Sequence, residues 1–298
     1  MGDPVADLRT IAPAMLERLE QVPGVEGVAL GGSRAQGTHH PTSDYDLGLY
    51  YGDDLDVTEL QALADDYSTV PAEITEPGGW GPWVDGGGWL VIGDVHVDVI
   101  YRDVDRVEAV WADCCEGRYI NAIQAGHPLG FWSHAYAGEL ALCRPIGNWP
   151  SRLSELRAAT VDYPDALDDA LAAAIWESSF SIANARKATD RSDVAFVAGC
   201  LFRAAGVMTQ AMHGHARQWL VNEKGAIASS ATLPSAPPDL EARVASAFAR
   251  LGPDASDLTA AYDELRAVVD DVASVLDASA DPVTSTRCDA ASSDHRRQ

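Results

Sequence analysis

At 298 residues the chain has room for two domains, and a 47% share of hydrophobic residues supplies sizeable cores. Its 21 Lys and Arg stand against 45 Asp and Glu, a formal net charge of -24. That field repels a nucleic-acid polyanion and favours small molecules as partners, cationic ones most; with no run of about 18 apolar residues, a membrane span is not expected either.

Residues 5–22 place Val5, Leu8, Ile11, Met15, Leu16 and Leu19 at helical spacing, ended by Pro23-Gly24. The first residues lack a basic stretch followed by an apolar one, so no secretory signal is expected, and those after Met1-Gly2 do not fit myristoylation. Val28-Ala29-Leu30 then reads as a short strand, Gly31-Gly32-Ser33 as a tight turn, and a polar segment leads to a strand carrying Asp44 and Asp46. Residues two apart share one face of a strand, so these carboxylates project together while Tyr45 and Leu47 face the other way. Paired carboxylates repel unless a cation sits between them, and hard oxygen ligands suit Mg²⁺. A glycine-rich turn lets backbone N–H groups approach an anionic phosphate.

A helix is expected over residues 58–67, a strand over 71–75, and a glycine-rich loop with Trp80 and Trp83 over 76–88. Tryptophans in such a loop either wall a binding site for a base or sugar or, more commonly, pack on the domain. Residues 89–101 read as one strand in which Val95, Val97 and Val99 alternate with His96, Asp98 and Ile100. An acid within so apolar a strand needs a partner, and a metal shared with Asp44 and Asp46 supplies one. The bland alternative makes Asp44-Tyr45-Asp46 a solvated turn, Gly31-Gly32 a hairpin corner and Asp98 a surface acid on an edge strand, and all three must hold together. A helix over 104–118 and a connection over 119–145 complete the first half.

From residue 150 the pattern is helical: 151–161 behind a Ser151 cap, 165–187, 192–215 with Ser192 and Asp193 at its start and Phe196 and Cys200 buried, 239–250 and 257–276. Residues 279–298 are polar without periodicity, the composition of a disordered tail. The expected organisation is a domain over 1–149, a helical bundle over 150–278 and a tail over 279–298. Five cysteines (Cys114, Cys115, Cys143, Cys200, Cys288), odd in number and without paired metal spacing, point to reduced thiols in a cytoplasmic protein.

Gly32-Ser33, the Asp44-Tyr45-Asp46 strand and the later Asp98 resemble the signature of the DNA polymerase β-like nucleotidyltransferase superfamily. The helical second half is similar to that of the antibiotic nucleotidyltransferases acting on aminoglycosides and lincosamides. The resemblance implies an α+β fold: a mixed-sheet nucleotidyltransferase domain followed by a C-terminal helical bundle that binds substrate. It implies two Mg²⁺ ions on Asp44, Asp46 and Asp98, and a nucleoside triphosphate, ATP by default, at Gly32, Ser33, Arg34, Ser43 and Lys224. Arg186 and Lys187 are further candidates for the triphosphate. The reaction implied is transfer of a nucleoside monophosphate to a hydroxyl of a small acceptor, an aminoglycoside-like cation among them, as in antibiotic resistance. Glu177, between Trp176 and Ser178, is the candidate general base, an ordinary exposed helical residue being the alternative. Nucleotidylation of a protein partner, as in toxin–antitoxin systems, and nucleotide binding without catalysis are the other two functions considered.

Overall fold

The computed structural model describes residues 3–279. Met1, Gly2, Cys288 and all but the first residue of the expected tail lie outside the described residues.

The elements are, in order, α1 (Pro4–Ile11), α2 (Pro13–Leu19), β1 (Val25–Leu30), α3 (Gly32–Gln36), β2 (Tyr45–Tyr51), α4 (Val57–Tyr67), β3 (Gly87–Ile92), β4 (Val95–Asp103) and α5 (Val104–Cys115). There follow β5 (Asn121–Gln124), β6 (His127–Trp132), α6 (Ala135–Leu142) and β7 (Arg144–Ile146). The remainder is helical: α7 (Ser151–Thr160), α8 (Asp165–Ala173), α9 (Ile175–Thr189), α10 (Val194–His215), α11 (Ala226–Ser230), α12 (Leu240–Ala249) and α13 (Ala255–Ser279). The fold is the expected α+β arrangement of a mixed sheet followed by a helical region.

Several expected elements are divided. The first stripe is two helices, because Pro13 has no N–H to continue α1 and instead opens α2, yet Leu8, Met15, Leu16 and Leu19 still reach one core. The strand expected over 89–101 is a hairpin: Gly93, at φ 64°, and Asp94 turn β3 back along β4. Residues 71–75 form no strand. The helix expected over 165–187 is α8 and α9, which meet at Ala174, and α7 starts behind Pro150 without a side-chain cap from Ser151. Asp193, not Ser192, caps α10, accepting from the Phe196 N–H at 3.1 Å.

The sheet runs β3-β4-β2-β1-β7, with β2 and β4 parallel and the other pairs antiparallel. Strand alternation gives it two unlike faces. Leu30, Leu47, Leu49, Val97 and Val99 face α1, α2 and α4 in one core, while Ala29 and Tyr50 on the other side join a core with α5, α6, α7 and α8. That second core spans residue 149, so the sheet and the start of the helical region pack as one. The third core is the bundle of α9, α10, α12 and α13. Helix α10 is long and apolar enough, by length and composition, to cross a membrane; here it is the central helix of the bundle, packed on α8, α9 and α13. Phe196, expected inside, is exposed on it.

Candidate active site

The site starts where β1 ends. Gly31 donates its N–H to the Asp46 carbonyl at 2.7 Å, tying the turn to β2, and Gly32 opens α3 at φ 59°. A side chain at Gly32 would be strained by that φ and would also displace the Asp46 carboxylate, so the position favours glycine on two counts. What sequence reading took as a plain turn is thus the first turn of a short helix, with Ser33 at its second position.

Asp46 lies opposite Asp98 in the parallel β2–β4 register. Residues directly paired across strands share a face, so the two carboxylates stand side by side. Burial is the main cause of a rise in the Asp98 pKa to about 6, with the charges of Asp46 and Asp44 adding to it and His96 opposing. Asp46 is raised in the same way, by burial and then by Asp44 and Glu139, against the pull of Lys224 and Arg34. Asp44 is exposed and precedes the first residue of β2. The three expected acids feel one another, but only Asp46 and Asp98 are locked together by the sheet.

Among the described residues no three His, Cys, Asp or Glu side chains form a ready-made metal cage. Mg²⁺ does not need one, because it is held by one or two carboxylates together with substrate phosphates. A neighbouring carboxylate pair whose proton affinity is raised first by burial and then by nearby acids fits such an ion, because a bound cation favours the charged form that burial and neighbouring negative charge disfavour.

Asp46 is on the wall of a cleft of about 780 Å³ between the sheet and the segment over residues 219–232. Gly31, Gly32 and Ser33 form one shoulder, and Lys224 lies across from them, near enough to lower the Asp46 pKa. Lys224 arrives there because its N–H is held by the Asn222 side chain at 2.9 Å and the adjacent Glu223 pairs with His127 of β6 at 3.2 Å. Deeper in, the buried Arg102 of β4 forks onto Glu139 of α6, with Nη2 to Oε1 at 2.8 Å, and its guanidinium stacks 4.9 Å from the Tyr136 ring centroid. Both members of this ion pair line the cleft, and neither stood out in the sequence.

Five nucleotide or catalytic candidates are differently employed. Arg34 is buried: its Nε donates to the carbonyls of Ser43 (3.0 Å) and Asp44 (3.1 Å), and it lies 3.9 Å from the Tyr45 ring centroid. It pins the loop before β2 through Nε and Nη2. Ser43 accepts from the His40 N–H at 3.0 Å and belongs to that same loop, away from the cleft lining. Glu177 does not reach the cleft; it pairs with Arg203 at 2.7 Å, and Arg203 is also bonded to the Leu129 carbonyl at 3.0 Å. Arg186 and Lys187 bond locally on α9, to Thr189 and Asn184.

Residues 8–73 match the family model of the nucleotidyltransferase domain. The N-terminal part of this chain carries a nucleotidyltransferase-family domain. The match takes in Gly31 to Asp46 and ends before β4, so Asp98 enters the site through the sheet register alone. A solved nucleotidyltransferase-like protein from Exiguobacterium sibiricum 255-15 aligns over 90% of this chain and 78% of its own, with a TM-score of 0.42 and 8% sequence identity. No curated protein matches the sequence.

Proposed function

We propose that this protein is a Mg²⁺-dependent nucleotidyltransferase that moves a nucleoside monophosphate, AMP from ATP by default, to a hydroxyl of a small molecule. The observation that carries this reading is the Asp46–Asp98 pair, side by side on parallel strands, with Gly32 and Ser33 at one edge and Lys224 across the cleft. In it, Asp46 and Asp98 would hold Mg²⁺, with Asp44 the third candidate ligand; bound there, the ion would supply charge that lowers the pKa of an acceptor hydroxyl and offsets that of the triphosphate. Backbone N–H groups opening α3 lack partners within the helix and, with the Ser33 hydroxyl, would hold phosphate oxygens. Lys224 contributes a point charge to the triphosphate. The 150–278 region closes the cleft through its 219–232 segment, and the cytoplasm, rich in nucleotides, is the natural setting.

The cleft also bears on the acceptor. Glu139 is neutralised by Arg102 and Asp46 is committed to the metal, which leaves no spare carboxylate among the cleft residues for a polycation. The small-molecule reading therefore does not require an aminoglycoside-like charge. The test is pyrophosphate release from each ribonucleoside triphosphate with an acceptor panel, with and without Mg²⁺, alongside Asp46→Asn. Release that requires Mg²⁺ and an acceptor and is lost in the variant supports the reading. Label transferred to protein in the absence of any acceptor replaces it with protein nucleotidylation, and failure to bind any nucleotide removes it.

A further inference from the structure

The carboxylate pair does not end the row it belongs to. Asp98 of β4 is directly opposite Trp89 of β3, and their neighbours Leu90 and Val97 are paired on the aliphatic face. Trp89, Asp98 and Asp46 therefore stand in line across three strands on one face of the sheet. Trp89 is 61% exposed, a large apolar side chain beside two acids on an edge strand. One face of its indole is taken: Trp80 stacks on it with ring centroids 4.3 Å apart and an interplanar angle of 17°.

The backing ring is held firmly. The Trp80 carbonyl accepts from Gln124 Nε2 at 2.9 Å, while Gln124 Oε1 accepts the N–H groups of Trp83 and Val84, each at 3.1 Å. On the same loop Gly78 donates to Asp85 at 3.0 Å, and Tyr51 also donates to Asp85. Trp83, from this loop, is spent on packing against Phe131 and Tyr136. The Trp80–Trp89 stack is a platform with one open side, outside the lining of the cleft that would take the triphosphate.

We propose that Trp89, backed by Trp80, is the acceptor platform, stacking the face of a hydroxylated ring, a sugar or cyclitol, and turning one ring hydroxyl toward the Asp98–Asp46 pair. The inference rests on the transferase reading above. A six-membered polyol has what such a platform selects: C–H groups that make a flat apolar face for the indole, and hydroxyls around a rim that stays wet. An open-chain polyol has the hydroxyls without the face. Donor and acceptor then lie on opposite sides of Asp46. The oxygen of that hydroxyl forms a bond to the α-phosphorus, the bond from the α-phosphorus to the α–β bridging oxygen breaks, pyrophosphate leaves with the electron pair, and the hydroxyl proton is lost to solvent. A rigid stacking surface limits the ordering cost of holding the ring in place for this step.

The full chain is tested as wild type, Trp89→Ala and Trp89→Phe, with ATP and Mg²⁺ and three probes: methyl β-glucopyranoside, myo-inositol and open-chain sorbitol. ATP affinity is measured by calorimetry, probe binding by indole fluorescence and transfer by pyrophosphate release. The expected result is that a ring probe quenches fluorescence and raises release saturably while sorbitol does neither. Trp89→Ala then raises the half-saturating ring concentration about tenfold or more, with ATP affinity unchanged, and Trp89→Phe recovers most of the loss. Equal half-saturation in Trp89→Ala, equal response to sorbitol, or no response to either ring overturns the platform. A loss of ATP affinity in Trp89→Ala overturns it too, by putting the donor base on the indole. If wild type fails to bind ATP with Mg²⁺, the transferase reading itself falls, a result distinct from all of these.

Discussion

The two faces of the central sheet are made from the same strands and have opposite uses. On one, Leu47, Leu49, Val97 and Val99 are sealed against α1, α2 and α4. On the other, Asp46, Asp98 and Arg102 alternate with them, residue by residue. The aliphatic face holds the strands in a register that sets two carboxylates together against their mutual repulsion. Adjacent residues thus carry unrelated burdens: stability at Leu47, chemistry at Asp46.

Substitutions one residue apart separate these roles. Asp46→Asn is expected to reduce Mg²⁺-dependent pyrophosphate release by about a thousandfold or more, the loss of several kcal/mol of charge stabilisation, with an unchanged circular dichroism spectrum. A variant that keeps its activity would break the comparison outright. Leu47→Ala, its neighbour, should cost about 3 kcal/mol in denaturant unfolding, since Leu47 is wholly buried, and the folded fraction should keep its nucleotide affinity. Glu139→Gln tests whether the charged face also carries stability: it strands the buried Arg102 and should cost about 3 kcal/mol by the same measurement. Lys224→Ala, on the far side of the cleft, should raise the KM for the nucleotide about tenfold with little change in kcat.

The smallest effect is the most diagnostic. Asp98 titrates at about 6 in the folded protein against an ordinary 3.8. The folded state therefore holds this proton more tightly than the unfolded one, and stability falls as pH rises between about 4 and 6. Asp98→Asn removes that loss: without Mg²⁺ its Tm should exceed wild type at about pH 7.5, and the two should converge near pH 4. Equal Tm values at both pH values would mean that the sheet does not strain this pair.

How much of this could be read from the chain varies with the range of the interaction involved. Gly32, Asp46 and Asp98 were legible because turn chemistry and strand alternation are local, and a two-residue period assigns a face without knowledge of the neighbour. The Gly93-Asp94 turn carried a hairpin signal that an unbroken run of β-forming residues concealed. Arg34 and Glu177 show where local reading stops. Arg34 had the right charge beside the motif, but Tyr45 and the carbonyls of the following loop bury it. Glu177 had the right context on its helix, but Arg203 from α10 claims it. Glu139 has no distinguishing neighbour in sequence; only the packing of α6 against β4 makes it part of the cleft. Lys224 was a candidate by its charge, and its place on the cleft wall depends on the His127–Glu223 pair, between residues 96 apart in the chain.

Strand β7 is three residues long, and it borders β1, the strand that leads into the Gly31–Gly32 turn. Just beyond it, Trp149 donates its indole N–H to the Val28 carbonyl at 3.0 Å. During synthesis β1 emerges long before either partner, so its outer edge stays open while more than a hundred further residues are made. The segment matching the nucleotidyltransferase family ends at residue 73 and lacks both β4 and β7. It is a unit of descent and not a unit of folding. A fragment cut to it would expose both sides of a two-stranded ribbon, and a cut just after Trp149 would still strip α7 and α8 from the core they share with Ala29 and Tyr50, so expression of this protein in pieces should yield aggregate until the cut falls beyond α8.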